Sequence, residues 1–228
     1  MTLPSRTALD HDLHLIQADL LRMSDLLDTA IRRAMRALTD QDTELAREVI
    51  ADDQFINALR FQIEETCLTL IATQQPAAGD LRTIVAAQNI VGDLERMADH
   101  AASIAKTVLR INTEPHPMLW VDLPHMANLC REMLHRALDA YALRDAALAR
   151  EVAGQDELID RLYRQFFREL VSVMIKDPHT TTPALYLLFA AHNLERIGDR
   201  VINIAERVIF MTSGEMKELN TGPDGRLE

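Results

Sequence analysis

The stretch Leu94-Glu95-Arg96-Met97-Ala98-Asp99 occurs twice, returning as Leu194-Glu195-Arg196-Ile197-Gly198-Asp199. In each copy a glutamate and an aspartate stand four residues apart within a run of helical apolar spacing, so the two carboxylates share one helix face. Working outward, a longer match surrounds the first. Asp42 to Asn57 (DTELAREVIADDQFIN) corresponds to Asp145 to Asp160 (DAALAREVAGQDELID). The chain therefore reads as one helical unit used twice. The copies are spaced more widely in this second match than in the first, which predicts a shorter connection before the third helix of the second copy.

Apolar residues recur in steps of three and four almost throughout, and no strand pattern interrupts them. The first stripe runs from Leu13 through Ile16, Leu20 and Leu27 to Leu38 and stops at Thr39-Asp40-Gln41-Asp42. The second runs from Leu45 through Ile56 and Ile63 to Leu70. The third follows Gln74-Gln75-Pro76-Ala77-Ala78-Gly79, with Asp80 as its expected N-cap, and continues to Ile111. Asn112 to Pro117 breaks the pattern, and the same plan repeats: helix four over Met126–Tyr141 and helix five from Leu148 to Val173, ended by Lys176-Asp177-Pro178. Helix six is expected to open with Thr182 as N-cap and Pro183 at the first helical position. The expected fold is all-α: two tandem three-helix bundles related by an internal repeat, over residues 1–111 and 123–211, with a linker at 112–122 and a polar tail at 212–228.

Composition supports that reading and narrows the partners. The 228 residues are 48% hydrophobic but only 4% aromatic, with 7 Gly and 8 Pro, as suits helices packed by aliphatic side chains. A net charge of −11 argues against nucleic acid, which requires a basic face, and against attraction to an anionic membrane surface. Residues 178–194 are too polar and too short to span a bilayer, and Met1 to Asp10 lacks the apolar core of a signal peptide. Cys67 and Cys130 form no CxxC motif and read as reduced thiols. A cytoplasmic protein without direct membrane insertion is expected. No glycine-rich phosphate loop, GxSxG or zinc-spaced Cys/His cluster is present.

The duplicated acids carry the chemistry. Glu95 and Asp99 stand near Gly92, Ala98 and Ala102, and Glu195 and Asp199 beside Gly198. Small neighbours let another helix approach, so these carboxylates are expected to be partly desolvated. Their mutual repulsion then favours a hard cation. The neighbouring helix nominates further ligands: Asp156 and Asp160 in the second half, aligned with Asp53 and Asn57 in the first. Asn203 extends the Glu195-Asp199 row, whereas its counterpart is Ser103. The second site is therefore expected to bind more tightly. The acids Asp40, Glu44, Glu48 and Asp52 open a helix and read as a solvated face. His192 lies on the face of Glu195, but its counterpart is Gly92. Glu132-Met133-Leu134-His135 matches one half of a di-iron motif that requires two, and reads as solvated. The other histidines show no shared spacing.

With these features in place, the chain from about Leu13 to Met211 resembles the PhoU family. The resemblance rests on Asp93-Leu94-Glu95-Arg96-Met97-Ala98-Asp99-His100, on Asn193-Leu194-Glu195-Arg196-Ile197-Gly198-Asp199-Arg200, and on Gly79-Asp80-Leu81-Arg82 before helix three. It implies a regulator that represses the phosphate-starvation response, working between the phosphate ABC transporter and a membrane sensor histidine kinase. It also implies frequent homodimerisation and multinuclear clusters of iron, zinc, magnesium or manganese. Carried over, Glu95 and Asp99 would ligate one cluster and Glu195 and Asp199 the other. The departures are Asn57 where the second half has Asp160, and Ser103 where it has Asn203. A non-catalytic adaptor is expected. The rival readings are a carboxylate-bound di-metal enzyme and a metal-free helical dimerisation module.

Overall fold

The computed structural model describes residues 6–111, 123–216 and 218–219, and among these there is no strand. Seven α-helices follow in order: α1 (Arg6–Asp40), α2 (Thr43–Gln74), α3 (Ala78–Ile111), α4 (Leu123–Leu143), α5 (Ala146–Ala153), α6 (Asp156–Lys176) and α7 (Thr181–Ser213). A short 3₁₀ turn, Pro178–Thr180, precedes α7. The expected linker at 112–122 lies outside the described residues. The first repeat is α1–α2–α3 and the second α4–(α5, α6)–α7, so the all-α tandem arrangement is as the duplication implied.

The duplication is visible at the level of caps. Asp42 accepts from the backbone N–H groups of Glu44 and Leu45 at 3.1 and 3.0 Å, and Asp145 from those of Ala147 and Leu148 at 2.8 and 3.0 Å. Each cap follows a left-handed residue, Gln41 (φ 56°) or Arg144 (φ 55°), that turns the chain between antiparallel neighbours.

Five local expectations are corrected. Helix five is not continuous: it breaks at Gly154-Gln155 into α5 and α6, whereas the aligned Ala51-Asp52 runs unbroken through α2. Glycine in a helix interior costs about 1 kcal/mol relative to alanine, which is enough to favour a break where capping compensates. The Gly154 N–H still donates to the Arg150 carbonyl at 3.1 Å, and it is the Gln155 N–H that turns to the Val152 carbonyl at 3.0 Å. The connection before α7 is not shortened. Instead α7 begins at Thr181, later in the repeat register than α3, whose first residue Ala78 corresponds to Pro178. Asp80 is not an N-cap but a buried residue of the first turn of α3. Thr182 and Pro183 both lie inside the first turn of α7, where a missing proline N–H leaves no bond unmade. At the far end α7 runs on to Ser213, into the stretch read as tail, and the N–H of Leu219 donates to Glu206 Oε1 at 2.8 Å.

The repeats share one core rather than standing apart. α3 and α7 make the most extensive helix contact in the molecule, and Leu94, Met97 and Ile104 meet it from one side as Leu194, Ile197 and Ile204 do from the other, all fully buried. Polar pairs record its symmetry. Arg200 Nη1 lies 3.3 Å from Asp93 Oδ1, and His100 Nδ1 lies 2.9 Å from Asn193 Oδ1. Asp93 and Asn193 are equivalent positions, as are His100 and Arg200, so each pair is the other's mate. Numbering rises on one helix as it falls on the other; α3 and α7 thus cross antiparallel about a local two-fold axis. Where α1 meets α4, Asp28 faces its own repeat equivalent, Arg131, which holds it through Nε–Oδ1 at 2.6 Å and Nη2–Oδ2 at 3.2 Å. His135 Nε2 adds a contact of 3.1 Å to the same carboxylate, so this histidine, read as solvated, is engaged between repeats.

Burial raises and Arg131 with His135 lowers the Asp28 carboxyl, with a net fall below the ordinary value of 3.8. Its contribution to stability is present above that value and is lost as pH falls through the lowered one. Arg131→Ala would leave a buried carboxylate with only His135 beside it. A loss of about 2 kcal/mol is expected, read as a lower urea midpoint at pH 7 with helical circular dichroism retained, and shrinking towards pH 3.

Candidate functional site

Each repeat brings its acidic phrase on the third helix against the outer helix aligned with Asp53 or Asp156. In the first repeat Glu95 is half-buried and Asp99 exposed on α3, while Asp53 and Asn57 are half-buried on α2. Asn57 Nδ2 donates to Asp53 Oδ2 at 2.9 Å. Burial and the charges of Asp99 and Glu95 push the Asp53 carboxyl up, against the Asn57 hydrogen bond and Lys106. The sequence-predicted set of this repeat is therefore gathered in one place. Gly92, expected to admit a close helix, has nothing within 4 Å of where its Cβ would be, and Asp99 is correspondingly open to water.

Arg60 completes this cluster and was missed by the reading of acids alone. Its Nη1 lies 2.6 Å from Glu95 Oε1 and its Nε 2.9 Å from Glu64 Oε1. The guanidinium also sits over the Phe61 ring, 5.0 Å from the centroid. The first site thus carries a cation of its own. The signal was available: three residues beyond the matched stretches, in the same register, Arg60 corresponds to Tyr163, a change from cation to phenol.

In the second repeat Glu195 and Asp199 are half-buried on α7, and Asp160 is half-buried on α6. Removal from water and the charges of Asp199 and Asp160 raise the Glu195 carboxyl to about 7, against Arg196. Asp199 is also raised, by burial first and then by Asp160, with Arg196 opposing through an Nη1–Oδ2 pair at 3.0 Å. His192 Nδ1 lies 3.1 Å from Glu195 Oε2. It is off the hydrogen-bond direction, so this buried oxygen accepts no hydrogen bond. The close approach forecast from small residues does occur here, made by a side chain of α6: a Cβ on Gly198 would stand 2.9 Å from Ile159 Cδ1.

Of the remaining nominated residues, one stands beside this cluster and one lies outside it. Asp156 is buried at the start of α6, 3.7 Å from the position of a Cβ on Gly198, the neighbour of Asp199, and its charge and that of Asp199 both act on the Cys130 thiol. Asn203 points the other way: its Nδ2 donates to Asp93 Oδ1 at 3.1 Å, in the seam between repeats. Extension of the four-residue row along a helix was misleading because successive steps of four drift around the axis. Among the described residues, no three His, Cys, Asp or Glu side chains already converge as a metal ligand set. Both cysteines are free and buried, with the Cys67 thiol pushed up to about 11 by burial.

A two-fold-related pair of carboxylate clusters on an all-α tandem repeat defines a narrow class of protein. The PhoU domain family matches the chain at residues 20–108 and again at 123–208, and the chain belongs to that family. It is 40% identical over 220 residues to the phosphate-specific transport system accessory protein PhoU homolog of Zymomonas mobilis, covering 95% of this chain and 92% of that one. A protein of the same description from Clostridium acetobutylicum is 37% identical over 217 residues, covering 95% and 99%. The fold superposes on the crystal structure of PhoU from Pseudomonas aeruginosa with a TM-score of 0.86 at 38% identity, over 90% of this chain and 99% of that one. The phosphate transport system regulatory protein PhoU from Streptococcus pneumoniae gives 0.85 at 32% identity, over 92% and 99%. No helix of the described residues is long and apolar enough to cross a membrane.

The raised Glu195 carboxyl has a measurable consequence. The native chain holds this proton to about pH 7, whereas the unfolded chain releases it near 4.5. Between those values the native state binds more protons, so with a chelator present stability falls as pH rises from about 4.5 to about 7. Glu195→Gln is expected to flatten that fall, measured as urea midpoints at pH 5 and pH 8. A variant with the full wild-type decline would refute the assignment.

Proposed function

We propose that this protein is a cytoplasmic, metal-binding regulator of phosphate uptake that restrains the phosphate-starvation response. In this reading it works without catalysis, as a homodimer, between the ATPase component of the phosphate ABC transporter and the sensor histidine kinase of that response. The names of its relatives, as phosphate-specific transport system accessory proteins, support the transport role. The observation that carries the metal reading is Glu195: a buried carboxylate oxygen with no hydrogen bond, its proton held to about pH 7 by removal from water and then by two neighbouring carboxylates. Such a group favours a positive charge placed beside it.

Asp160, Glu195 and Asp199 would hold an ion in the second repeat, and Asp53, Glu95 and Asp99 in the first, with Asn57 as a neutral oxygen donor. All-oxygen donors suit magnesium, manganese or iron, and His192 beside Glu195 extends the range to zinc. A bound cation supplies the charge that lets these acids ionise together. The residues of the chain do the rest: they tie α6 to α7 and α2 to α3 and set the electrostatic face offered to partners. Asp156 stands at the inner edge of the second set, whereas Asn203, though nominated with it, turns to Asp93 in the repeat seam.

Elemental analysis of the purified protein is expected to find tightly held iron, zinc, manganese or magnesium that Glu195→Ala/Asp199→Ala loses. In cells the same variant is expected to switch on a phosphate-starvation reporter in high phosphate. Full metal content together with full repression in that variant would overturn the reading. The two sites are further expected to differ because Arg60 already neutralises the first. In the Glu195→Ala/Asp199→Ala background, Arg60→Tyr, which copies Tyr163, should tighten manganese binding by about tenfold or more, read by isothermal titration.

A further inference from the structure

The first repeat holds an apolar opening among its three helices. Between α1, α2 and α3 lies a cavity of about 160 Å³, walled by Leu26, Ala30, Val49 and Ile56 and floored by Ala98 and Ala102. The second repeat provides an internal comparison. The positions equivalent to Ala30 and Ala102 are Met133 and Ile202, which are 1% and 2% exposed and pack into the core. The second repeat, whose outer helix breaks at Gly154-Gln155, accepts large side chains at both positions, and the first repeat, whose α2 is continuous, has alanine at both. Leaving apolar space unfilled forfeits packing, so a matched pair of small residues around one opening is unexpected for structure alone. The opening is usable: Phe55 lines it while remaining 57% exposed.

The electrostatics of the opening are one-sided. Asp52, Asp53 and Arg33 line it. Arg33 is engaged by Glu48 at 2.6 Å and Asp52 at 2.5 Å. The partner relation of Arg33 and Glu48 recurs in the second repeat as Arg136 and Glu151 at 2.8 Å, so it belongs to the common scaffold. Asp53 has no such arginine. It accepts from the neutral Asn57 and faces the added negative charge of Asp99 and of Glu95, the latter paired with Arg60, with Lys106 also set against them. An entering molecule meets hydrocarbon on the walls and a net negative carboxylate at the edge.

We propose that this cavity binds a small hydrophobic cation, a protonated amine on a hydrocarbon body about the size of a benzene ring. The size follows from the volume, since an apolar cavity of about 150 Å³ accommodates benzene. The charge follows from Asp53, which would receive the ammonium while the walls cover the hydrocarbon. The proposal stands apart from the metal reading, although both use Asp53, and is tested with a chelator present.

Alanine-methyl NMR of the full-length chain, titrated with benzylamine, benzyl alcohol and benzoate, reads the site directly. Benzylamine is expected to shift the methyls of Ala30, Ala98 and Ala102 with a Kd of about 1 mM or tighter. Its affinity should exceed that of both other probes by at least tenfold. Ala30→Met/Ala102→Ile, which copies the second repeat, should abolish the shift of the remaining Ala98 methyl with helical circular dichroism intact. If that double variant does not fold, Ala102→Ile alone, read at Ala30 and Ala98, together with the wild-type shift map decides the question. Absence of shifts at the three methyls of the native chain, persistence of the Ala98 shift in the filled variant, or equal affinity for the neutral probe would each overturn the proposal.

Discussion

Everything in this molecule hangs on the antiparallel packing of α3 against α7. The two helices that carry the acidic phrases are also the two that bury the most residues, and the most extensive contact of each is with the other. An amphipathic helix used this way has one face to give to its symmetry mate, so its acids must lie on another, towards α2 or α6. The carboxylate clusters are thus held at fixed positions on either side of the local two-fold axis. The polar pairs of the seam, Asp93 with Arg200 and Asn193 with His100, give that packing its register as well as its area.

Once duplication has produced two equivalent clusters, single substitutions make them different. Arg60 against Tyr163 places a guanidinium beside Glu95 and a phenol near Glu195. Asn57 against Asp160 removes one charge from the first cluster and adds it to the second. The outcome is seen at the acids themselves: Glu195 is raised to about 7, with Asp160 and Asp199 among the causes. The same logic opens the first repeat at Ala30 and Ala102 where the second is filled by Met133 and Ile202. At Asp28 and Arg131 duplication yields the opposite kind of change, since equivalent positions that meet across the axis have diverged to complementary charges.

Much of this was legible because helices announce themselves through local periodicity. The repeat, the all-α class, the Asp42 and Asp145 turns and the end of α6 at Lys176 all follow from residues within a few positions of one another. Gathering of Asp53 and Asn57 with Glu95 and Asp99 followed from one further step, that matched helices pack alike. What escaped were places where a local rule met a competing one. Gly154 broke a helix that the apolar stripe carried straight through. Asp80 and Thr182 looked like caps but lie within first turns, where carboxyl, hydroxyl and proline side chains are tolerated for the same reason that caps are preferred.

The sequence by itself determined the duplication, the helical class and which acids stand on one face of each third helix, because those properties depend only on spacing along the chain. The tertiary structure alone decided which of the acids face one another. Asn203 continues the row of Glu195 and Asp199 in sequence, yet it turns to Asp93 across the repeat seam. Asp156 faces the small surface of Gly198, and Arg60 crosses from α2 to reach Glu95. Electrostatic environment is set by neighbours distant in the chain and by the water they exclude, and neither is written in a helical period.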